Sequence, residues 1–102
     1  MNRHVTRTRL LEDAWLGDAV LALYVRARIL REQQRLDGEQ YARMTSNQFL
    51  SAIGEPSAVE AEIGKIYAEG GLSKAFSWIE ERLIPVYERQ EQKRKRKTGP
   101  AR

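Results

Sequence analysis

Two carboxylates, Asp18 and Glu60, are the residues whose type and setting best suit chemistry. Each stands among small residues in a segment with a helical apolar period. The small residues on the same helix faces are Ala14, Gly17, Ser57, Ala61 and Gly64. Glycine inside a helix costs roughly 1 kcal/mol relative to alanine, so its presence there indicates a close approach to another helix. Two such helices could therefore pack closely enough to bring Asp18 and Glu60 together.

Paired carboxylates have a limited set of uses. Like charges a few ångströms apart repel, so such a pair should raise one pKa, hold a cation or find basic partners. Mg²⁺ prefers oxygen ligands and retains several waters, so two carboxylates suffice when a phosphate completes the coordination shell. The other interpretation is two separate salt bridges, with arginines such as Arg26 or Arg43 as partners. The residues alone leave both interpretations open.

The element that must position Asp18 is the longest periodic segment, Leu10 to Leu30, which contains no proline. Its apolar spacing of three and four residues predicts a helix with one buried stripe, running to about Gln34. The residues predicted to form that stripe are Leu16, Val20, Leu23, Tyr24, Ala27 and Leu30.

Turn signals divide the rest of the chain into further helical segments. The breaks fall at Asp37–Gly38, near Ser46 and Asn47, at Gly54–Pro56, at Gly70–Gly71 and, as a kink, at Pro85. The helix that carries Glu60 should run from about Pro56 to Glu69 and bury Val59, Ile63, Ile66 and Tyr67. The last helix should bury Ala75, Phe76, Ile79, Leu83 and Val86. With no alternating strand pattern, the sequence predicts an all-α fold, a small helical domain of about four to five helices.

Length and composition restrict the class of protein. The chain has 102 residues, 41% of them hydrophobic, which suits one small domain. Cysteine is absent, so disulfides, thiolate metal sites and thiol nucleophiles are excluded. No apolar run is long enough to span a bilayer, and the start lacks the apolar core of a signal peptide. We therefore expect a soluble cytoplasmic protein that does not enter a membrane.

Positive charge is concentrated at the C-terminal end. The formal charge is +4, but removing Lys93, Arg94, Lys95, Arg96, Lys97 and Arg102 leaves twelve basic residues against fourteen acidic ones, or −2. We expect a folded domain at residues 1–90 and a basic, disordered tail at residues 91–102. The tail could bind RNA phosphates through residues 93–97 with salt-dependent affinity, or it could be a solubilising extension without a partner.

Three segments resemble the ribonuclease III domain, especially its compact mini-ribonuclease III branch. LGDAVLALYVRARIL, residues 16–30, is similar to the signature helix of that family. VEAEIGKIYAEGGL, residues 59–72, resembles the second family motif, and AFSWIEERLIPVYE, residues 75–88, resembles the closing helix, including its proline. The segments stand in the family's order and cover roughly half of the chain.

The resemblance implies a homodimeric all-helical domain that hydrolyses double-stranded RNA with Mg²⁺ or Mn²⁺. In the family, clustered carboxylates hold the metal, which activates water and stabilises charge on the phosphate. Asp18 and Glu60 match the family's acids, so the resemblance implies that they are the catalytic residues and metal ligands. Trp15 falls where the family has an aromatic residue that inserts into the partner subunit. The other interpretation of Trp15 is a residue of the protein's own core.

The acidic set is smaller than in the full-length family enzymes. Those enzymes carry further acids where this chain has Leu11, Ala14 and Ser57. The nearby Glu12 and Asp13 are poor replacements, because they lie about 120° and 140° around the helix axis from Asp18. The mini branch also has alanine and a small hydroxyl residue at two of these positions, so a reduced set is compatible with activity.

The segment between the two acids is also short, at about forty residues, where the family usually has more helix. Three functions therefore remain in view. The first is an endoribonuclease acting on double-stranded or structured RNA. The second is a catalytically degenerate ribonuclease III-like module that binds RNA or associates with the ribosome. The third is a helical dimerisation scaffold, so the sequence leaves open whether the chain is an enzyme.

Overall fold

The computed structural model describes the backbone of residues 3–97 and the side chains of residues 7–96, which form an all-α fold. The helices are α1 (Arg3–Gln33), α2 (Gly38–Thr45), the single turn α3 (Asn47–Leu50), α4 (Pro56–Arg82) and α5 (Ile84–Lys97). The predicted fold class and number of helices are confirmed. None of the described helices is long and apolar enough to cross a membrane.

Side-chain caps begin the helices that follow the predicted breaks. Asp37, Ser46 and Glu55 each accept a hydrogen bond from the backbone N–H three residues later, at 3.0, 3.1 and 2.9 Å. Each cap satisfies one of the N–H groups that the first turn of a helix leaves without a partner. Its capping bond holds the pKa of Asp37 below the ordinary value. Local sequence therefore sets where α2, α3 and α4 begin.

Gly71 and Pro85 mark the two interruptions in the second half of the chain. The expected end of a helix at Gly70–Gly71 appears as a kink inside α4, where Gly71 has φ 88° and ψ 177°. Residues with a Cβ rarely adopt that backbone conformation, so glycine is required there. Pro85 lies in the first turn of α5, where its missing N–H is tolerated. The chain therefore breaks just before Pro85, rather than kinking within one helix.

The hydrophobic core lies between α1 and α4, which form the most extensive packing of any two helices. Its fully buried large side chains are Leu21, Val25, Met44, Leu50, Ile63, Ile79 and Leu83. The rings of Tyr24 and Phe76 meet edge to face at 5.2 Å, which joins α1 to the part of α4 beyond its kink. A similar contact between Phe49 and Tyr87, at 6.1 Å, joins α3 to α5. Aromatic contacts thus join α1 to α4 and the two shorter helices α3 and α5 to each other.

The buried face of α1 differs from the predicted stripe. Val20 and Tyr24 are buried as predicted, but four other members of the stripe are exposed. Those exposed residues are Leu16, Leu23, Ala27 and Leu30. The buried face of α1 consists of Ala14, Gly17, Leu21, Val25 and Ile29, together with Val20 and Tyr24. The prediction was wrong because α1 has apolar residues on two faces, and the buried face is the one on which Gly17 meets the backbone of α4.

The predicted core positions of α4 are largely confirmed. Val59, Ile63, Ala75, Ile79 and Leu83 are buried. Ile66, Phe76 and Val86 pack against the core and are partly buried. Tyr67 is wrong as a core residue, since it is exposed near the end of the segment before the kink. Tyr67 has the spacing of the buried stripe, four residues after Ile63, but it lies at the edge of that face.

Residues 91–97, which we expected to begin a disordered tail, continue α5 in the structure. Glu91 anchors this stretch, because its carboxylate lies 3.0 Å from Arg43 of α2 and 3.0 Å from Arg94 of its own helix. These two bonds hold the pKa of Glu91 below its ordinary value, against the opposing effect of burial. The proposed domain boundary at residue 90 therefore falls inside a helix. Arg102 and the other residues after 97 lie outside the described range.

Candidate carboxylate site

The site forms where α1 crosses α4 with their backbones in contact. A Cβ at Gly17 would overlap the carbonyl oxygen of Glu60 and lie 2.9 Å from the backbone nitrogen of Gly64. In the reciprocal contact, a Cβ at Gly64 would overlap the carbonyl oxygen of Asp13. Only glycine at both positions allows this approach. The crossing places the backbone of Glu60 directly against Gly17, the residue before Asp18.

Asp18 and Glu60 are brought together by this crossing, as the sequence predicted. Asp18 is exposed and Glu60 is partly buried, and their side chains share a hydrogen bond. Burial, the charge of Asp18 and that hydrogen bond, with a smaller contribution from Glu55, raise the pKa of Glu60 to about 7. Near neutral pH, Glu60 is therefore partly protonated in a solvent-accessible site. Its proton can be displaced by a cation.

The salt-bridge interpretation of these acids is wrong. Arg26 lies over the ring of Tyr41, 5.0 Å from its centre, and Arg43 lies 3.0 Å from Glu91. Among the side chains that the structure describes, no ion pair includes Asp18 or Glu60. The negative charge of the pair is therefore not balanced by either of the two arginines expected to do so.

The side chains that could bind a metal ion at this site are the two carboxylates, Asp18 and Glu60. Across residues 7–96, no group of three or more His, Cys, Asp or Glu side chains is arranged to hold a metal ion. Mg²⁺ is nevertheless commonly bound by one or two carboxylates, with waters and substrate phosphate oxygens filling the other positions. The exposure of Asp18 leaves room for those additional ligands. The residues present therefore fit a divalent cation that is completed by solvent and substrate.

Glu55 is a part of the site that the sequence reasoning missed. Its charge contributes to the raised pKa of Glu60, five residues later. The Glu55 carboxylate also caps α4, accepting from the N–H of Ala58 at 2.9 Å. An acid directly before Pro56 was the available signal, because proline favours the first position of a helix and an acid suits the cap.

Trp15 is 79% exposed, so its interpretation as a residue of the protein's own core is wrong. It lies one turn before Asp18 on α1 and is accompanied on the outward face by three exposed leucines. These are Leu11, Leu23 and Leu30, with exposed fractions of 54%, 48% and 48%. An apolar strip of this length is unusual on the surface of a monomer. A role for Trp15 at a dimer interface stays a prediction.

The basic residues 93–97, which the sequence analysis assigned to a tail, lie on α5, whereas the two carboxylates lie on α1 and α4. Lys93, Lys95 and Arg96 are exposed on α5, whereas Arg94 pairs with Glu91. Lys97 ends the helix, and its side chain lies outside the described set. α5 meets α1 where Glu88 approaches Arg28, at 3.6 Å. Arg28 is about 15 Å along the helix from Asp18, so the structure does not place the basic residues in the carboxylate site.

Comparisons with protein-family models, with curated proteins and with solved structures found no match to the chain. The support for a function therefore comes from the geometry of Asp18 and Glu60 and from the sequence motifs around them.

Replacing Glu60 by Gln is expected to remove a pH dependence of folding stability. The folded protein retains the Glu60 proton up to about pH 7, whereas the unfolded chain loses it near the ordinary value of 4.5. The contribution of this carboxyl to the free energy of unfolding is therefore fully present below pH 4.5 and is lost as pH rises to about 7. Because water screens a partly exposed pair, we expect the Glu60→Gln variant to gain about 1 kcal/mol over the wild type across that interval.

Urea unfolding at a series of pH values measures this difference. Glu62→Gln, an exposed position on the same helix, is the matched control and should follow the wild-type pH profile. Parallel profiles for the wild type and Glu60→Gln would contradict a raised pKa at Glu60.

Proposed function

We propose that this chain is a minimal ribonuclease III-like endoribonuclease that uses Mg²⁺ or Mn²⁺ to hydrolyse double-stranded or structured RNA. The single observation that carries the proposal is the Asp18–Glu60 pair, two carboxyl groups in hydrogen-bonding contact at a solvent-accessible helix crossing, where burial and the charge of Asp18 raise the pKa of Glu60. Among the described side chains, no ion pair includes either acid, and like charges this close repel, so a bound cation would relieve the repulsion. The motifs around both acids resemble those of the ribonuclease III domain.

The two acids have different parts in the proposed reaction. Glu60 is fixed by the backbone contact at Gly17, so it provides a rigid ligand on α4. Asp18 is exposed and faces the solvent side, where a phosphodiester can approach. Asp18 and Glu60 would hold a divalent cation, which would supply Lewis-acid stabilisation of charge on the phosphate. Binding the cation expels the proton from Glu60, so affinity for the metal should rise as pH increases through about 7.

The proposed enzyme is a homodimer that pairs through the outward face of α1. The support for this is the exposed Trp15 and the leucines that accompany it. A second copy would cover this strip and place one carboxylate pair in each subunit. The dimer is part of the proposal because a single small domain offers little surface on which a duplex could lie.

Two other functions each have a supporting observation. The presence of two acids, rather than a larger cluster across residues 7–96, favours a degenerate module that binds RNA or associates with the ribosome. The exposed apolar face of α1 favours a dimerisation scaffold. Cleavage and binding measured together separate the three functions.

Incubation of the protein with an end-labelled RNA duplex of about 16 base pairs, comparable to the footprint of a double-stranded-RNA-binding domain, tests the proposal. We expect discrete cleavage products with Mg²⁺ or Mn²⁺ and none with a chelator. Duplex binding without cleavage in either metal would support the degenerate module. Neither binding nor cleavage, in a protein that sediments as a dimer, would support the scaffold.

A further inference from the structure

The outward face of α5 carries a row of cations that the carboxylate site does not use. Arg89, Lys93 and Arg96 are spaced by four and three residues, so they lie on one face of the helix. All three side chains are exposed. They extend over about 10 Å of helix, a length along which one nucleic-acid strand presents about three phosphates.

None of these three cations is neutralised by its own helix. The positions of α5 that lie three and four residues away from them hold Pro85, Val86, Gln90, Gln92, Lys97 and members of the row itself. Among the described side chains, no ion pair includes Arg89, Lys93 or Arg96. Like charges at these spacings weaken a helix, so packing and local helix stability do not explain the row.

The acids of α5 are used elsewhere. Glu91 lies about 140° to 160° around the axis from the row and binds Arg43 and Arg94, each at 3.0 Å. Glu88 approaches Arg28 of α1 at 3.6 Å. These contacts hold α5 on the body of the protein through its negative charges. Because the acidic side chains of α5 lie on other faces of the helix, the exposed face with Arg89, Lys93 and Arg96 carries positive charge without acids.

Cations near a helix C-terminus also interact favourably with the helix dipole, which accounts for bases in the last turn. That effect is confined to the last turn and does not extend to Arg89, about two turns before the end. A membrane-surface role needs apolar residues beside the cations. No large apolar side chain on the described part of α5 is exposed, so the chemistry favours phosphates of a nucleic acid over a lipid surface.

We propose that Arg89, Lys93 and Arg96 form an ordered binding surface for the phosphate backbone of duplex RNA, separate from the carboxylate site. This inference rests on the proposed RNA substrate and identifies where the duplex is held. The surface contacts phosphates rather than base edges, so it binds duplexes without regard to sequence. The proposed binding surface therefore lies on a helix that Glu88 and Glu91 hold against the rest of the protein, and not on a disordered tail.

The test compares Arg89→Gln/Lys93→Gln/Arg96→Gln with a matched control, Arg31→Gln/Lys65→Gln/Lys74→Gln. The control removes the same charge from exposed positions of α1 and α4. Glutamine is a good helix former, and circular dichroism verifies that α5 is retained. Binding of a labelled duplex of about 16 base pairs is measured by fluorescence anisotropy with a chelator present, at salt concentrations from about 50 to 200 mM.

We expect the α5 variant to bind about tenfold or more weakly than the wild type. The slope of log K against log salt should fall by about 2 to 3, since each phosphate contact contributes roughly 0.9. The control should retain the wild-type slope. An unchanged slope in the α5 variant, or an equal loss in the control, would overturn the proposed surface. Tighter binding of the wild type to phosphatidylserine vesicles than to the duplex would also overturn it.

Cleavage separates this inference from the proposed function. If the wild type cleaves with Mg²⁺ and the α5 variant cleaves with the same kcat/KM, the proposal of a binding surface on α5 is wrong, whereas the proposed endoribonuclease function is supported. If the wild type neither binds nor cleaves the duplex, both proposals fail. A raised KM with unchanged kcat in the α5 variant supports the surface, because it indicates lost substrate binding with the carboxylate site intact.

Discussion

Replacing Asp18 by Asn is expected to reduce metal-dependent RNA cleavage by at least about 100-fold while leaving the protein folded. Changes behind a metal ligand commonly cost 10-fold to 100-fold in metal affinity or activity, and Asp18 is itself one of two proposed ligands. Asparagine keeps the shape of the side chain but removes the negative charge that opposes Glu60. The variant should therefore be at least as stable as the wild type above pH 7, so lost cleavage cannot be attributed to unfolding.

The matched control is Glu62→Gln, an exposed position on α4 that lies about 160° around the helix axis from Glu60. It makes the same change in net charge and should cleave at the wild-type rate. Initial rates on a labelled duplex over a range of Mn²⁺ concentrations measure both variants. Equal cleavage by Asp18→Asn and the wild type would show that Asp18 is not needed for cleavage. The activity would then come from another site or from a contaminating nuclease. Equal losses in both variants would indicate a general charge effect.

Replacing Gly17 by Ala is expected to destabilise the protein by about 3 kcal/mol or more and to dismantle the carboxylate site. Alanine is favoured over glycine inside a helix by roughly 1 kcal/mol, so propensity alone predicts stabilisation. The clash makes the net change in stability unfavourable, because the added methyl group would overlap the carbonyl oxygen of Glu60. That oxygen belongs to the backbone and cannot rotate away. Moving α4 away from α1 separates Glu60 from Asp18 and should return the pKa of Glu60 towards its ordinary value.

Urea unfolding measures the loss of stability, and carboxyl chemical shifts followed by NMR against pH measure the pKa of Glu60. Gly38→Ala is the control, because a Cβ there has no neighbour within 4 Å. Gly64→Ala should resemble Gly17→Ala, and the double variant should lose less than the sum, since one clash already separates the helices. Wild-type stability in Gly17→Ala would show that the backbones of α1 and α4 do not touch at this point.

The boundaries of the helices were largely predictable because each depends on neighbouring residues. Asp37, Ser46 and Glu55 cap the helices that follow them, and Gly71 has a backbone conformation that suits glycine. These are interactions over three or four residues, which a sequence displays directly. The end of α5 was not predictable in this way, because contacts with Arg43 and Arg28, on other helices, anchor its acids.

The approach of Asp18 to Glu60 was predictable from one cue, the small residues beside each acid. Gly17 and Gly64 have no side chain to bury, so their presence within helices indicated a close crossing, and the structure has the crossing at those residues. The sequence indicated that a close pair of acids should raise one pKa, but it did not indicate that the raised pKa belongs to Glu60, because that depends on burial and on charges from two segments of the chain.

The sequence by itself determined the helical class, most of the helix starts and the pair of small-residue faces that carry the acids, because these depend on local spacing and backbone preference. Only the tertiary structure decided which apolar face of α1 is buried. Leu16, Leu23 and Leu30 have the period of a core stripe yet lie outside, since burial follows the face that meets α4. It also decided that Trp15 is exposed and that Glu60 retains its proton to about pH 7. Burial and electrostatic coupling are sums over neighbours that are distant along the chain, so they exist only once the helices have packed.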